Sequence, residues 1–276
     1  MKMGLIARAD FRTISARTLA SAVIIAATFM LPSLVAQSLS SLDFRGDCSY
    51  VRGTPTSPGE TKLRDDGKTV ELVAHGTEFG HHCGEDQGRF AFTVLEGNFD
   101  VVVQIEHVTN HGAKQFYSDK RTLAKAGIMA REGNQPADRY VAIWAESNDG
   151  HGADAFQFDL RKVAGAWLGN QAKDCRRPHE CEEACGFVYG YVNHERPQPE
   201  FFERQYPHVW LRLKREGKIF NAMISKDGET WHRTSTPSHQ IEFPEKLFVG
   251  VALSAAAEGH FNARAEAVFK NIKGLR

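Results

Sequence analysis

Between Pro207 and Trp231 the chain reads PHVWLRLKREGKIFNAMISKDGETW, and apolar and polar positions alternate through it. Period-two alternation sets Val209, Leu211 and Leu213 on one face of a strand and Trp210, Arg212 and Lys214 on the other. Glu216-Gly217 and Asp227-Gly228 supply the positive φ values that tight hairpin turns require. The segment therefore predicts an antiparallel meander. The same patterning predicts strands at Val70–Ala74, Arg89–Leu95, Phe99–Val108, Ala124–Arg131, Tyr140–Glu146, Ala155–Arg161, Phe187–Val192, Val209–Arg215, Ile219–Ser225, Trp231–Ser235, Leu247–Ser254 and Ala265–Ile272. Turn residues fall between them, at Gly97-Asn98, Gly133-Asn134, Asn148-Asp149-Gly150 and Asp227-Gly228. No convincing amphipathic helix interrupts the series. Many short strands with turns between them predict an all-β sandwich or barrel.

Three stretches depart from this rhythm. Residues 1–36 combine a basic start (Arg8, Arg12, Arg17) with an apolar run of 14 residues, Thr18 to Leu31, and small residues at Ala36 and Ser38. That is the pattern of a signal peptide cleaved after Ala36 or Ser38. The run is shorter than the ~20 residues that span a bilayer, so no membrane span is expected after cleavage; an uncleaved anchor is the alternative. Arg52 to Glu60, rich in Gly, Pro, Ser and Thr, reads as a surface loop. Residues 165–207, rich in Cys, Pro, Glu and Arg, read as a long irregular insertion into a single domain that spans 37–276.

Charge narrows the partners. The whole chain balances 34 basic against 34 acidic residues, and loss of 1–36 leaves 30 against 33. A mildly acidic chain lacks the concentrated basic face that nucleic acid requires. Dinucleotide and phosphate-binding loops are missing, and no Gly-x-Ser-x-Gly elbow is present to host a nucleophilic serine. All five cysteines, Cys48, Cys83, Cys175, Cys181 and Cys185, lie beyond residue 36. Export to an oxidising compartment predicts bridges and leaves one cysteine over. Spacing does not determine connectivity; the expected arrangement is Cys48 with Cys83 and one bridge among the other three. Cys175, His179, Cys181 and Cys185 also form a zinc-like set, but His179 and Cys181 are too close in sequence for the usual ligand spacing, which favours disulfide.

Four segments, FTVLEGNFDVVVQIE (92–106), KAGIMAREG (125–133), VWLRLKREGKIFNAMISKDGETW (209–231) and FVGVALSA (248–255), are closed by AEAVFKNI (265–272). Together they resemble the concanavalin A-like lectin/glucanase superfamily. Their order is similar to the small secreted jelly-roll domains known as DUF1349, or "regulation of enolase"-like. The resemblance covers roughly residues 88–272. It implies two antiparallel sheets packed face to face in a jelly roll, one of them concave and able to cradle a saccharide. Because this fold hosts lectins, glycanases, lyases and spacers, it does not by itself specify an activity.

Candidate chemistry follows from residue types on the predicted strands. Sugar binding calls for aromatic platforms with directed polar partners, and Arg131, Tyr140, Trp144 and Arg212 supply both. Burial in the core is the competing fate of Trp144 and Trp210. Arg131 lies inside an apolar strand and must have a partner or a path to solvent. Its alternatives are a binding pocket or an internal ion pair, with Glu146 or Asp159 as the expected acid. Catalysis would need paired carboxylates, and Glu106, Glu146 and Asp159 are the candidates. A retaining glycosidase holds its pair ~5 Å apart and an inverting one ~6.5–9.5 Å apart. The Glu-x-Asp-x-x-Glu strand of the superfamily's hydrolases does not occur. No cofactor is expected; calcium is the alternative at Asp149 and Asp154, although the loop lacks the spacing of a dedicated calcium site. The reading is an exported, non-catalytic binding module for a glycan or polysaccharide. A polysaccharide hydrolase or lyase, and a structural or adhesive envelope protein, are the alternatives.

Overall fold

The computed structural model describes residues 39–48, 53–80, 83–111, 124–146, 156–166, 187–191, 206–233, 238–255 and 263–275. They fall within one compact unit that spans Ala36–Arg276. The predicted signal segment with its cleavage sites, Cys175, Cys181, Cys185, Asp149, Asp154 and most of the 165–207 stretch lie outside the described residues.

The described strands are β1 (Ser40–Arg45), β2 (Glu60–Leu63), β3 (Val70–His75), β4 (Gln87–Glu96), β5 (Phe99–His111), β6 (Lys125–Arg131), β7 (Tyr140–Glu146), β8 (Phe156–Arg161), β9 (Phe187–Tyr191), β10 (Val209–Glu216), β11 (Ile219–Ser225), β12 (His232–Arg233), β13 (His239–Gln240), β14 (Lys246–Ser254) and β15 (Arg264–Lys273). One sheet has seven strands in the order β1-β4-β14-β6-β7-β8-β9. The other has eight, β12-β11-β10-β5-β15-β3-β2, with β13 beside β11. Every described pairing is antiparallel. This is the expected sandwich of two antiparallel sheets. Among the described residues there is no α-helix, and no helix long and apolar enough to cross a membrane.

All twelve predicted strands are present, with ends shifted by a residue or a few. The strand expected at Trp231–Ser235 is short, His232–Arg233, and one inside the presumed insertion, β9, extends the seven-stranded sheet. Alternation did not predict β1, β2 or β13. All three lie at the margins of the sheets. Ser40–Arg45 and Glu60–Leu63 carry mostly polar side chains, since an edge strand has little apolar surface to bury. The loop expected at 52–60 accordingly ends one residue early, with Glu60 opening β2.

The intersheet core follows the alternation. Val209, Leu211 and Leu213 of β10 and Val101, Val103 and Ile105 of β5 are buried against Ile128, Val141, Ile143, Val249 and Val251 of the facing sheet. Trp210, Arg212 and Lys214 point to the outer side, half-buried. Trp210 is thus not a core residue. Its ring packs on Gly228, where φ is +77° and an added Cβ would stand 2.9 Å from the indole.

Polar contacts seal the two sides of the sandwich. On one side Arg89 of β4 donates to Thr61 of β2 at 2.9 Å and to Asp43 and Ser41 of β1 at 2.9 and 2.8 Å. On the other, His239 of β13 lies face to face with Phe158 of β8, ring centroids 4.2 Å apart, with Nε2 3.3 Å from the Phe158 carbonyl oxygen. Burial pushes the His239 imidazole down from 6.5 to about 4, although the carbonyl contact favours its proton.

Two predictions follow from this packing. Leu211→Ala should cost ~2–5 kcal/mol in urea unfolding, the range for a truncated core leucine; a loss under ~0.5 kcal/mol would reverse the face assignment. Because folded His239 rejects the proton that the unfolded chain accepts below about pH 6.5, its stabilising contribution is complete above that pH and declines as pH falls towards 4. Melting temperatures at pH 7 and 4.5 should therefore differ less in His239→Phe than in the natural chain.

Candidate functional site

Period two also decides where the polar residues of β6, β7 and β8 go. Ala126, Ile128 and Ala130, Val141, Ile143 and Ala145, and Phe156, Phe158 and Leu160 join the intersheet core. Lys125, Gly127, Met129 and Arg131, then Tyr140, Ala142 and Trp144, then Gln157, Asp159 and Arg161, therefore occupy the outer face of the seven-stranded sheet. Antiparallel register aligns them in rows: Arg131 beside Tyr140 beside Arg161, and Gly127 beside Trp144 beside Gln157. Gly127 is required there, because an added Cβ would stand 2.0 Å from the Ile143 carbonyl oxygen and 2.8 Å from the Trp144 ring.

Three of the four residues expected to bind a ligand thus converge on one face, and that face is covered. Arg131, Tyr140 and Trp144 are all 0% exposed. The cover comes from the β3–β4 connection, whose described residues 76–80 and 83–86 strap across the outer side of the sheet. Phe79 stacks on Trp144, centroids 5.2 Å apart and planes 15° apart, and meets Phe44 edge-on at 6.0 Å. Glu78 accepts from Lys125 Nζ at 2.6 Å. The Cys48–Cys83 disulfide ties the strap to the segment after β1, with Cα atoms 4.7 Å apart. The bridge is the one expected for this pair, and it accords with an oxidising compartment.

Asp86, at the end of the strap, is the hub. Its carboxylate accepts from Arg131 Nη1 and from Arg161 Nη2 at 2.7 Å, and all three side chains are fully buried. Arg131 also donates to the Gln135 carbonyl at 2.6 Å, and Arg161 to the carbonyls of Ala166, Pro136 and Cys83 at 2.9, 3.0 and 3.1 Å. Tyr140 sits beneath both guanidinium groups, its ring centroid 5.5 Å from Arg131 Cζ and 4.8 Å from Arg161 Cζ. Burial raises the Tyr140 phenol well above its ordinary value, so it stays neutral. Burial also lowers Arg131, and the Asp86 charge opposes that fall; at Arg161 burial acts the same way but is outweighed, chiefly by the charge and hydrogen bond of Asp86. Both arginines remain cations, as a guanidinium does at any physiological pH.

The ion-pair alternative for Arg131 therefore describes this structure, with a different acid. The partner is Asp86 rather than Asp159, and the side chain of Glu146 lies outside the described residues. Asp159 instead accepts from the Trp144 indole Nε1 at 2.9 Å. Asp86 and Arg161 were missed because neither has a sequence signal of its own. Asp86 sits in the turn-like run Cys83-Gly-Glu-Asp-Gln-Gly88, and Arg161 at a strand end, where arginine is ordinarily solvated.

Arg212 does not join this group. It lies on the outer face of the opposite sheet, where Nε donates to Asp100 at 2.7 Å and Cζ stands 5.5 Å from the Trp231 ring. The arginine side chain is 27% exposed and Asp100 39%. The hydrogen bond from Arg212 holds the Asp100 carboxyl below the usual carboxylate range. Among the catalytic candidates, Glu106 shares that outer face and accepts from Lys270 at 2.5 Å, whereas Asp159 lies on the outer face of the other sheet. The intersheet core separates the two, so Glu106 and Asp159 cannot flank one glycosidic bond. Glu146 ends β7 opposite Lys125 in backbone register. Among the described residues no group of three or more His, Cys, Asp or Glu could hold a metal ion. A cavity of about 400 Å³ opens between the β4–β5 and β10–β11 turns, but Arg215 in its wall donates to the carbonyls of Gly217 and Pro244, both at 2.9 Å.

No family model matches the chain, and no curated protein matches it. Solved structures do. A functionally unknown protein from Saccharomyces cerevisiae is similar at 14% identity and a TM-score of 0.51, over 86% of this chain and 96% of that one. A legume lectin-like domain from Entamoeba histolytica aligns at 10% identity and 0.42, over 79% and 90%. The alginate lyase AlyC3 in complex with dimannuronate aligns at 12% and 0.43, over 87% and 89%. At 14% identity the likeness to the first of these is one of fold alone.

The buried hub yields a third prediction. Asp86→Ala strands two desolvated guanidinium groups and should cost ~3–5 kcal/mol in chemical unfolding, the range for breaking a buried pair from one side. Glu132→Ala, which breaks the partly exposed pair with Arg139, should cost ~1 kcal/mol or less. Similar losses from the two would show that the strap is not held by charge.

Proposed function

We propose that this chain is an exported, non-catalytic β-sandwich module that binds carbohydrate, with the outer face around Arg212 and Trp231 as its open contact surface. One observation carries the reading: the Arg212 guanidinium, held in place by Asp100, lies over the Trp231 indole within reach of solvent. Asp100 accepts from both Nε and Nη2 of Arg212, which fixes the plane of the guanidinium and leaves Nη1 as the donor for a ring hydroxyl. Trp231 supplies an apolar face on which a sugar ring can lie. The resemblance to small secreted jelly-roll domains fits the same reading, as does the disulfide with respect to export. Against a hydrolase that would pair Glu106 with Asp159 stands their separation by the core. The structural or adhesive alternative draws support from the burial of Arg131, Tyr140 and Trp144 under the protein's own strap.

A glycan array probed with the natural chain should give a defined set of binders, and product analysis on those binders should show intact glycan. Arg212→Ala and Trp231→Ala should each weaken binding by ~1–3 kcal/mol, the scale of a hydrogen bond to a charged group, with an unchanged β-sheet circular dichroism spectrum. Glycan binding that survives both substitutions would remove this face from consideration. An array without binders would favour the structural alternative.

A further inference from the structure

Three side chains of the strap meet the seven-stranded sheet with the chemistry of a ligand. Asp86 presents a carboxylate to the paired guanidinium groups of Arg131 and Arg161. Phe79 lays a six-membered ring nearly flat on Trp144. Glu78 presents a second carboxylate to Lys125. A cover that served only to exclude water would hold as well or better with apolar side chains, because replacing a buried ion pair by packed hydrophobic groups is often neutral or stabilising. Arg131 also keeps its Nε donor without an acceptor among the described residues, so the strap leaves part of that fork unused. The strap begins at Gly76, whose φ of +116° is readily open only to glycine.

We propose that the strap is an intramolecular competitor for a second binding face, whose ligand is a carboxylate-bearing saccharide of the uronate type. The sugar carboxylate takes the place of Asp86 between Arg131 and Arg161, and the sugar ring takes the place of Phe79 on Trp144. Two guanidinium forks select a carboxylate over a hydroxyl because they offer parallel, charge-assisted hydrogen bonds. The inference rests on the carbohydrate reading for the ring, and not on the Arg212 face. Apparent affinity is reduced by the fraction of molecules with the strap closed, so loosening the strap tightens binding.

Trigalacturonate titrated into Arg212→Ala protein, with and without Phe79→Ala, isolates this face from the open one. The Phe79→Ala form should bind at least ~10-fold more tightly, in proportion to its larger open fraction, and maltotriose should bind neither form. In the natural chain, saturating trigalacturonate should quicken amide hydrogen exchange across 77–86, because sugar and strap exclude each other. Equal affinity with and without Phe79, an equal response to maltotriose, or strap exchange that is unchanged or slowed overturns the proposal. The exchange measurement needs no substitution and decides the matter alone if Phe79→Ala does not fold. Loss of glycan binding at Arg212 with the strap response intact would overturn the open-face reading and leave this one standing.

Discussion

One carboxylate shared by two buried guanidinium groups organises the outer side of the seven-stranded sheet. Asp86 bonds to Arg131 and Arg161, and those arginines bond in turn to carbonyls of the β6–β7 connection, of Ala166 and of Cys83. Three stretches distant in sequence, 83–86, 131–136 and 161–166, are thereby fixed to one another through charge-assisted hydrogen bonds, which keep their direction where apolar contacts would not. Desolvating three charges is costly, and only a geometry that satisfies nearly every donor offsets it. The disulfide at Cys83, three residues from Asp86, limits how far the strap can move if that geometry is disturbed.

The consequence is a sandwich of three layers over part of its area. The intersheet core lies between the sheets, and a second apolar cluster of Phe44, Phe79, Phe90, Met129, Tyr140 and Trp144 lies between the seven-stranded sheet and its strap. Every residue of β6 is buried for that reason, since one face packs inward and the other is covered. The eight-stranded sheet has no comparable cover among its described neighbours. Its outer side carries cross-strand ion pairs, Arg212 with Asp100 and Lys270 with Glu106, at the partial exposure where such pairs contribute little to stability. The two outer faces thus differ in kind: one is a closed, high-stakes polar network, the other an open surface with oriented polar groups and an indole.

This asymmetry bears on function. Residues that would make a sugar platform on a bare sheet are held against the protein's own side chains on one face. The same chemical pairing, arginine with tryptophan, recurs in the open on the other. Glu106 and Asp159 lie on opposite outer faces with the full thickness of the core between them, so those two carboxylates do not act as a pair.

By itself the sequence determined the all-β class, the positions of the long strands and which face of β10 is core. These are local properties: alternation with period two is written along the chain, and turn residues mark where φ must be positive. Arg131, Tyr140, Trp144 and Arg212 were legible as residue types suited to a site, but not which of them share a face. Tertiary structure alone decided what covers them. A strap between two sheets has no period, and Asp86 became the partner of Arg131 only when strands far apart in sequence were brought into register. The edge strands escaped for a related reason, since pairing on one side and little burial leave no apolar signature. Which face is open and which is closed is a property of packing, and packing is decided between segments rather than along them.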